Sequence, residues 1–544
     1  MYILIVSNLY IFRITMTRLN KVLRAVFVLP FSAGHPKERG NGESVSHDGS
    51  ISGIVFLVSV VVVLCIILVI GSVGQDDDNV HTNLFTITMT VTACLAIFIC
   101  IALTVYASIY PAAVTLSQHW DISGRIMLRF LWLFTLASIT ESAIYFSYHL
   151  TCFTHNYEIA NIDQRIVCDI GLFIFRVVQT GFLTRYAKYI FASSLGLYYG
   201  LLILFLTNIS VIVIAYADDI RYFQDFTLNI TGNATLSWPC DTNSSTLNVL
   251  TTMEGFLNPA IFEYSLLTIL FISEIWPKRS ETTNMIRRPS CVYDNFSIIE
   301  HAGLLQSEER AYESIQDVNR PTAKHMIWKC INIMAAFMLV LPGIVLLAMR
   351  VHKQHDVSIR IASDYCNSIE TTVMVLSILK CFYLLQTECK PTNKSTSFGS
   401  KDYLILVSLI GSLGYYTMRL IPYIVLVHSG EENVNRMYNY IVRILAIYLQ
   451  TVLIYQLKNY EKIDNQSSFM SIEYNVLFLS VANLMMWGVD TFLASQYVFS
   501  NDAPALFYGK RVWVNSYCLL FPFAMFYRFK CFVAFYGIYD RLRK

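Results

Sequence analysis

Charge is what this chain has least of. Asp, Glu, Lys and Arg make up 14% of its 544 residues, against roughly 25% in a soluble domain. With 55% of the residues hydrophobic, little is left to build a hydrated surface, and an ordinary soluble globule is excluded. The formal net charge of +2 gives none of the basic footprint that binds nucleic acid. No stretch of the TVGYG type is present, which excludes a potassium-type ring of carbonyls. His149 and His325 stand at the ends of apolar runs without a companion acid or nucleophile motif, so no enzyme is expected. The thirteen cysteines, spread over so long a chain, do not make a secreted disulfide framework. Most fall inside apolar runs, as small buried hydrophobes do. Cys152, Cys168, Cys240 and Cys366 lie outside or near run edges, leaving room for one disulfide of open pairing.

What the chain has is long apolar runs. They predict an all-α integral membrane protein with twelve transmembrane helices, each about 20 residues and long enough to cross the hydrocarbon core. The first six are Ile51–Val73, Leu84–Ser108, Ile126–His149, Ile166–Tyr186, Leu195–Tyr216 and Thr252–Trp276. The second six are His325–Met349, Ser368–Leu385, Leu404–Val427, Met437–Leu457, Tyr474–Val498 and Val514–Tyr536. The expected organisation is a cytosolic tail (1–50), a six-helix domain (51–276), a cytosolic linker (277–323), a second six-helix domain (324–538) and a short cytosolic tail (539–544). Met1–Met16 is apolar but short and has no basic segment before it, so it is not read as a cleaved signal.

Orientation follows from the loops. The first 50 residues carry Arg13, Arg18, Lys21, Arg24, Lys37 and Arg39, and the linker carries Lys278, Arg279, Arg287, Arg288, Arg310 and Arg320. The positive-inside rule puts both in the cytoplasm. The loop 217–251, then outside, holds three glycosylation sequons, at Asn229, Asn233 and Asn243, and such sites are used only on that side.

The two halves echo each other. Gln179-Thr180 in the fourth span matches Gln450-Thr451 in the tenth, Asn208 in the fifth matches Asn483 in the eleventh, and Pro259 with Tyr264 in the sixth matches Pro522 with Tyr527 in the twelfth. Halves with an even number of spans share one orientation and form a parallel pseudo-two-fold pair. Each half then offers one Gln, one Asn and one Tyr at mid-depth, neutral groups that both donate and accept hydrogen bonds. They either line a file of water or tie helices together.

Glu263 lies near the middle of the sixth run. A carboxylate at that depth costs roughly 3 kcal/mol and needs a proton, a partner or a wet cavity, so it points to a route for ions or protons. Arg176, Arg443 and Asp490 share helix faces with Gln179, Gln450 and Asn483, and Arg528 and Lys530 follow Tyr527. A pair between Glu263 and Lys530 or Arg528 across the half interface is expected, with a buried packing bridge as the plainer alternative; Lys530 has the further option of snorkelling.

These same residues resemble the otopetrin family. The matching stretches are Leu257–Leu266 around Pro259, Glu263 and Tyr264; Gln179–Leu183; Leu206–Asn208; Asn483–Phe492 with Trp487 and Asp490; Phe507–Gly509; and Pro522–Phe529. The resemblance runs from about residue 51 to 540. It implies a proton-selective channel of the plasma membrane, opened by extracellular acid and conducting inward. It further implies cytosolic termini, a homodimer, inhibition by zinc ions from outside, and no resident metal or cofactor. The family's triads fall on Gln179, Asn208 and Tyr264 and on Gln450, Asn483 and Tyr527, and its interface carboxylate on Glu263. The chain departs from the family at Lys530, where a His is usual, and at Ile203, where a His is common. Six histidines face outside in this topology: His81, His149, His155, His352, His355 and His428. His352 and His355 have a spacing that suits zinc if the segment is helical. The runner-up is a proton-coupled secondary transporter of a small solute, with Pro259 and Pro522 breaking helices around a binding site.

Overall fold

An apolar run without water around it must satisfy its amides internally, and helices do so within one segment. In the computed structural model every predicted run within the described residues is helical. The structure describes residues 36–37, 46–47, 52, 55, 78–111, 114–116, 121–154, 162–192, 194–230, 245–276, 323–352, 357–391, 400–425, 431–462, 471–491 and 503–543. The predicted first span, the linker and most of the N-terminal tail lie outside them.

The first half contains α1 (Asp78–Ile109), α2 (Ile122–Thr154), α3 (Ile162–Tyr186), α4 (Leu195–Ile230) and α5 (Ser245–Ile275). The second contains α6 (Ala323–His352), α7 (Val357–Glu388), α8 (Ser400–Val425), α9 (Glu431–Lys458), α10 (Ile472–Val489), the short α11 (Ala503–Tyr508) and α12 (Lys510–Arg543). Ten helices among the described residues are long and apolar enough to cross a membrane. The eleventh long helix, α5, packs against α2 and α4. Large apolar side chains face outward along them, among them Phe98, Leu136 and Ile410, as lipid-facing surfaces require. Helices α5 and α12 run unbroken through Pro259 and Pro522, so the helix breaks expected of a transporter are not made there.

The repeat read from three residue pairs is present in the packing. In the first half α1 packs on α3 and α4, α2 on α3 and α5, and α4 on α5; in the second α7 packs on α9 and α10, α8 on α9 and α12, and α10 on α12. Each contact has its counterpart six spans later. Even the loops repeat. Strand β1 (Val114–Leu116) pairs antiparallel with β2 (Tyr189–Phe191), and β3 (Cys389–Pro391) pairs the same way with β4 (Tyr460–Lys462).

The halves meet along α2, α4 and α5 on one side and α8, α10 and α12 on the other. Phe130 and Phe134 of α2 stack edge-on against Trp487 of α10 and Phe529 of α12 at 5.0–5.9 Å. Gly537 lets α12 approach Ser123, whose hydroxyl occupies the space a side chain would need. At one end Lys401 bridges Asp121 (3.0 Å) and Glu274 (3.6 Å) across the interface. Asp121 also accepts the Gly124 amide at 3.1 Å and so caps α2. Burial pushes the Asp121 carboxyl up, but Lys401 and the Gly124 amide outweigh it and hold it below the usual carboxylate value.

Of the four cysteines that left room for a disulfide, Cys152 is disulfide-bonded, whereas Cys168 and Cys366 are not in a disulfide and Cys240 lies outside the described residues. Asn229 sits near the end of α4, and Asn233 and Asn243 lie outside the described residues.

Candidate functional site

Glu263 is fully buried, on the face of α5 turned to the other half. The pair with Lys530 or Arg528 does not form. Trp487 of α10 donates its indole N–H to Glu263 Oε1, and Oε2 has no hydrogen-bond partner among the described residues. Arg528 instead binds Asp490 at 2.7 Å and reaches Tyr416 of α8 at 3.3 Å, so its guanidinium is turned to its own half and not to α5. Lys530 is buried rather than snorkelling; its ammonium lies 3.6 Å from Met127 Sδ of α2. The interface carboxylate is thus held by a neutral donor inside the ring of Phe130, Phe134, Trp487 and Phe529. A group so placed accepts a proton without a cation competing for its charge.

The first triad is bonded in two pairs, with Gln179 Nε2 left without a partner among the described residues. Gln179, Asn208 and Tyr264 are all at 0% exposure. The Tyr264 hydroxyl donates to Gln179 Oε1 at 3.0 Å, with the Arg176 carbonyl a second acceptor at 3.3 Å. Asn208 donates back to Leu204 O at 2.7 Å, and its own oxygen accepts Thr268 Oγ1 at 2.7 Å. Thr268, one turn after Tyr264, is a functional residue the sequence reading missed; the i, i+4 spacing of two hydroxyl groups was the available signal.

The second triad repeats the backbone pattern and loosens the side chains. Tyr527 donates to Ile447 O at 2.8 Å, the counterpart of the Arg176 carbonyl, but its hydroxyl meets Thr451 at 2.7 Å instead of Gln450. Asn483 donates to Leu479 O at 2.7 Å. Cys531 stands where Thr268 stands in the first half; Gln450 Nε2, like Gln179 Nε2, has no partner among the described residues, but Asn483 Oδ1 also lacks the one that Asn208 has. Removing the Thr268 hydroxyl should therefore cost more than changing Cys531. Thr268→Val is expected to lower stability by about 1 kcal/mol, and Cys531→Val by less. Thermal unfolding in detergent measures both, and an equal loss would contradict the asymmetry.

Charge at depth is organised by arginines. Arg176 binds Ser142 Oγ (2.6 Å), Glu141 (3.4 Å) and the Ser138 carbonyl. Arg443 binds Asn439 (3.2 Å) and Tyr416 (3.1 Å), and Arg528 shares Tyr416 at 3.3 Å. Glu141 and Tyr416 were not singled out from sequence. Of the outward histidines, His149 has a described partner, Asp169 at 2.6 Å. The side chains of His81, His155, His352, His355 and His428 lie outside the described residues. No three His, Cys, Asp or Glu side chains converge as a metal site among the described residues.

A model of the family described as Otopetrin matches residues 216–529, more than half of the chain and including Glu263, Tyr264, Gln450, Asn483 and Tyr527. No curated protein matches the chain. The buried interface carboxylate, the paired triads and the two packed halves fall in and around this match, and the chain belongs to the otopetrin family of proton-channel-type membrane proteins.

Proposed function

We propose that this protein is a proton-selective channel of the plasma membrane, opened by extracellular acid and conducting protons inward. The observation that carries the reading is Glu263: a fully buried carboxylate between the halves, with one oxygen on Trp487 and the other without a partner among the described residues. Such a group stores a proton cheaply and passes it to water. The triads supply the neutral donors and acceptors on either side of it. A transporter cycle draws less support, since α5 and α12 are continuous through their prolines.

The orientation with cytosolic termini draws support from one end of α2. Cys152, in a disulfide, and His149, paired to Asp169, lie one turn apart there, and disulfides persist on the oxidising side. On this reading the His149–Asp169 pair lies at the outer end of α2, and His149 is the candidate for the acid response. Zinc block from outside and a homodimer go with the same reading, with the histidine pair His352 and His355 as the zinc candidate.

Stepping extracellular pH from neutral to acid in sodium-free solution is expected to evoke an inward current, and His149→Ala to weaken that response while leaving surface expression intact. An acid response unaltered in the variant would remove His149 from gating. A surface-expressed wild type that stays silent at every external pH would overturn opening by acid.

A further inference from the structure

A cavity of about 20 Å³ lies inside the second half, lined by Gly343, Ser363, Glu370, Arg443, Met486 and Asp490 among others. That is room for about one water, which needs some 10–15 Å³ and two or more polar neighbours. Glu370 is 5% exposed, and its Oε1 has no hydrogen-bond partner among the described residues. Arg443 and Arg528 attract Glu370 and Asp490 repels it, but neither arginine hydrogen-bonds its Oε1 among the described residues. Arg443 is spent on Asn439 and Tyr416, and Arg528 on Asp490 and Tyr416. In the first half, by contrast, the buried Glu141 has Arg176 within 3.4 Å. A buried carboxylate oxygen without a hydrogen bond is costly even with cations near, and a water in the adjoining cavity removes much of that cost. Gly343 is part of the arrangement: a methyl group there would take the position of Glu370 Oε1.

The cavity lies in register with the second triad. Arg443 precedes Gln450 by seven residues on α9, and Asp490 follows Asn483 by seven on α10. Seven residues are two turns, so each pair shares a helix face about 10 Å apart along the axis. The two helices run antiparallel in the predicted topology, so both offsets point to the same, outer side of the triad.

We propose that this cavity is a hydrated proton-binding site, and that Glu370 is the relay group through which protons entering the second half reach Gln450, Asn483 and Tyr527. The step balances simply. A hydronium in the cavity gives its proton to the Glu370 carboxylate, leaving water and a carboxylic acid; the acid returns the proton to the next water inward.

This inference rests on the channel reading, so its test has one readout that conduction does not supply. Proton current per surface-expressed protein is measured for wild type, Glu370→Gln and Gly343→Ala. Infrared difference spectra between neutral and acid buffer are taken on the same purified proteins. Glu370→Gln is expected to lose the carbonyl stretch of one buried carboxylic acid and to lower the current about a hundredfold, the lower range for a positioned proton-transfer group. Gly343→Ala, which keeps the carboxylate but crowds it, is expected to shift that band and reduce the current; should Glu370→Gln fail to fold, this variant decides, and wild-type current with an unshifted band overturns the site. Wild-type current in Glu370→Gln, or an unchanged band, overturns the relay. If the wild type itself carries no proton current, the channel reading fails, and the band alone decides whether the site binds a proton: lost in Glu370→Gln supports it, retained overturns it.

Discussion

Glu263→Gln is expected to abolish nearly all proton current, by about a hundredfold, while the protein still reaches the surface. Glutamine keeps the size of the side chain and an oxygen that accepts the Trp487 indole N–H, so the aromatic ring around it need not rearrange. What it loses is the ability to take up and release a proton. Glu263→Ala is a harsher change. It leaves the Trp487 donor without this acceptor, at about 1–3 kcal/mol, and opens space beside Phe130 and Phe529. Comparing the two separates proton transfer from packing. Whole-cell current normalised to surface protein is the measurement, and full current in Glu263→Gln would strip Glu263 of its role.

Arg528→Leu is expected to do its damage before conduction. Arg528 lies 2.7 Å from Asp490 and also reaches Tyr416 and Met486. Removing one partner of a buried pair strands the other charge, at about 3–5 kcal/mol, a large share of the stability of a typical domain. Surface biotinylation should show little protein at the membrane. The double change Arg528→Leu with Asp490→Asn removes the stranded charge and should recover part of the surface level. Wild-type surface levels in Arg528→Leu would mean that the pair is not what holds α10 to α12. A single variant that is as well recovered as the double one would mean the same.

The helices were legible because a run of apolar residues has one outlet in lipid, and its length is set by the bilayer. The repeat was legible because glutamine, asparagine and tyrosine are rare enough in such runs for their order to be noticed. Side-chain partners were not. Sequence logic sends Glu263 to a cation, yet its partner Trp487 is 224 positions away on a helix of the other half, and nothing in either local segment records that approach. Asp490 and Arg528 were each noticed but not joined, because whether two faces meet depends on the rotation of α10 and α12 about their axes. Thr268 and Cys531 were overlooked for a different reason. In an apolar run a threonine and a cysteine both read as small filler, and only the packed structure gives one of them an asparagine to hold. Glu370 stands in the predicted run Ser368–Leu385 with no partner legible nearby in the sequence; in the fold it has a cavity beside it.

The central claim is that protons, and no other ion, cross this protein. Its most direct test is the reversal potential of the acid-evoked current in whole-cell voltage clamp, with internal and external pH varied independently in sodium-free solution. A proton-selective path predicts a shift of about 59 mV for each unit of pH gradient, unaffected by replacing chloride or potassium. A reversal potential that ignores the pH gradient, or that moves with another ion, would contradict it.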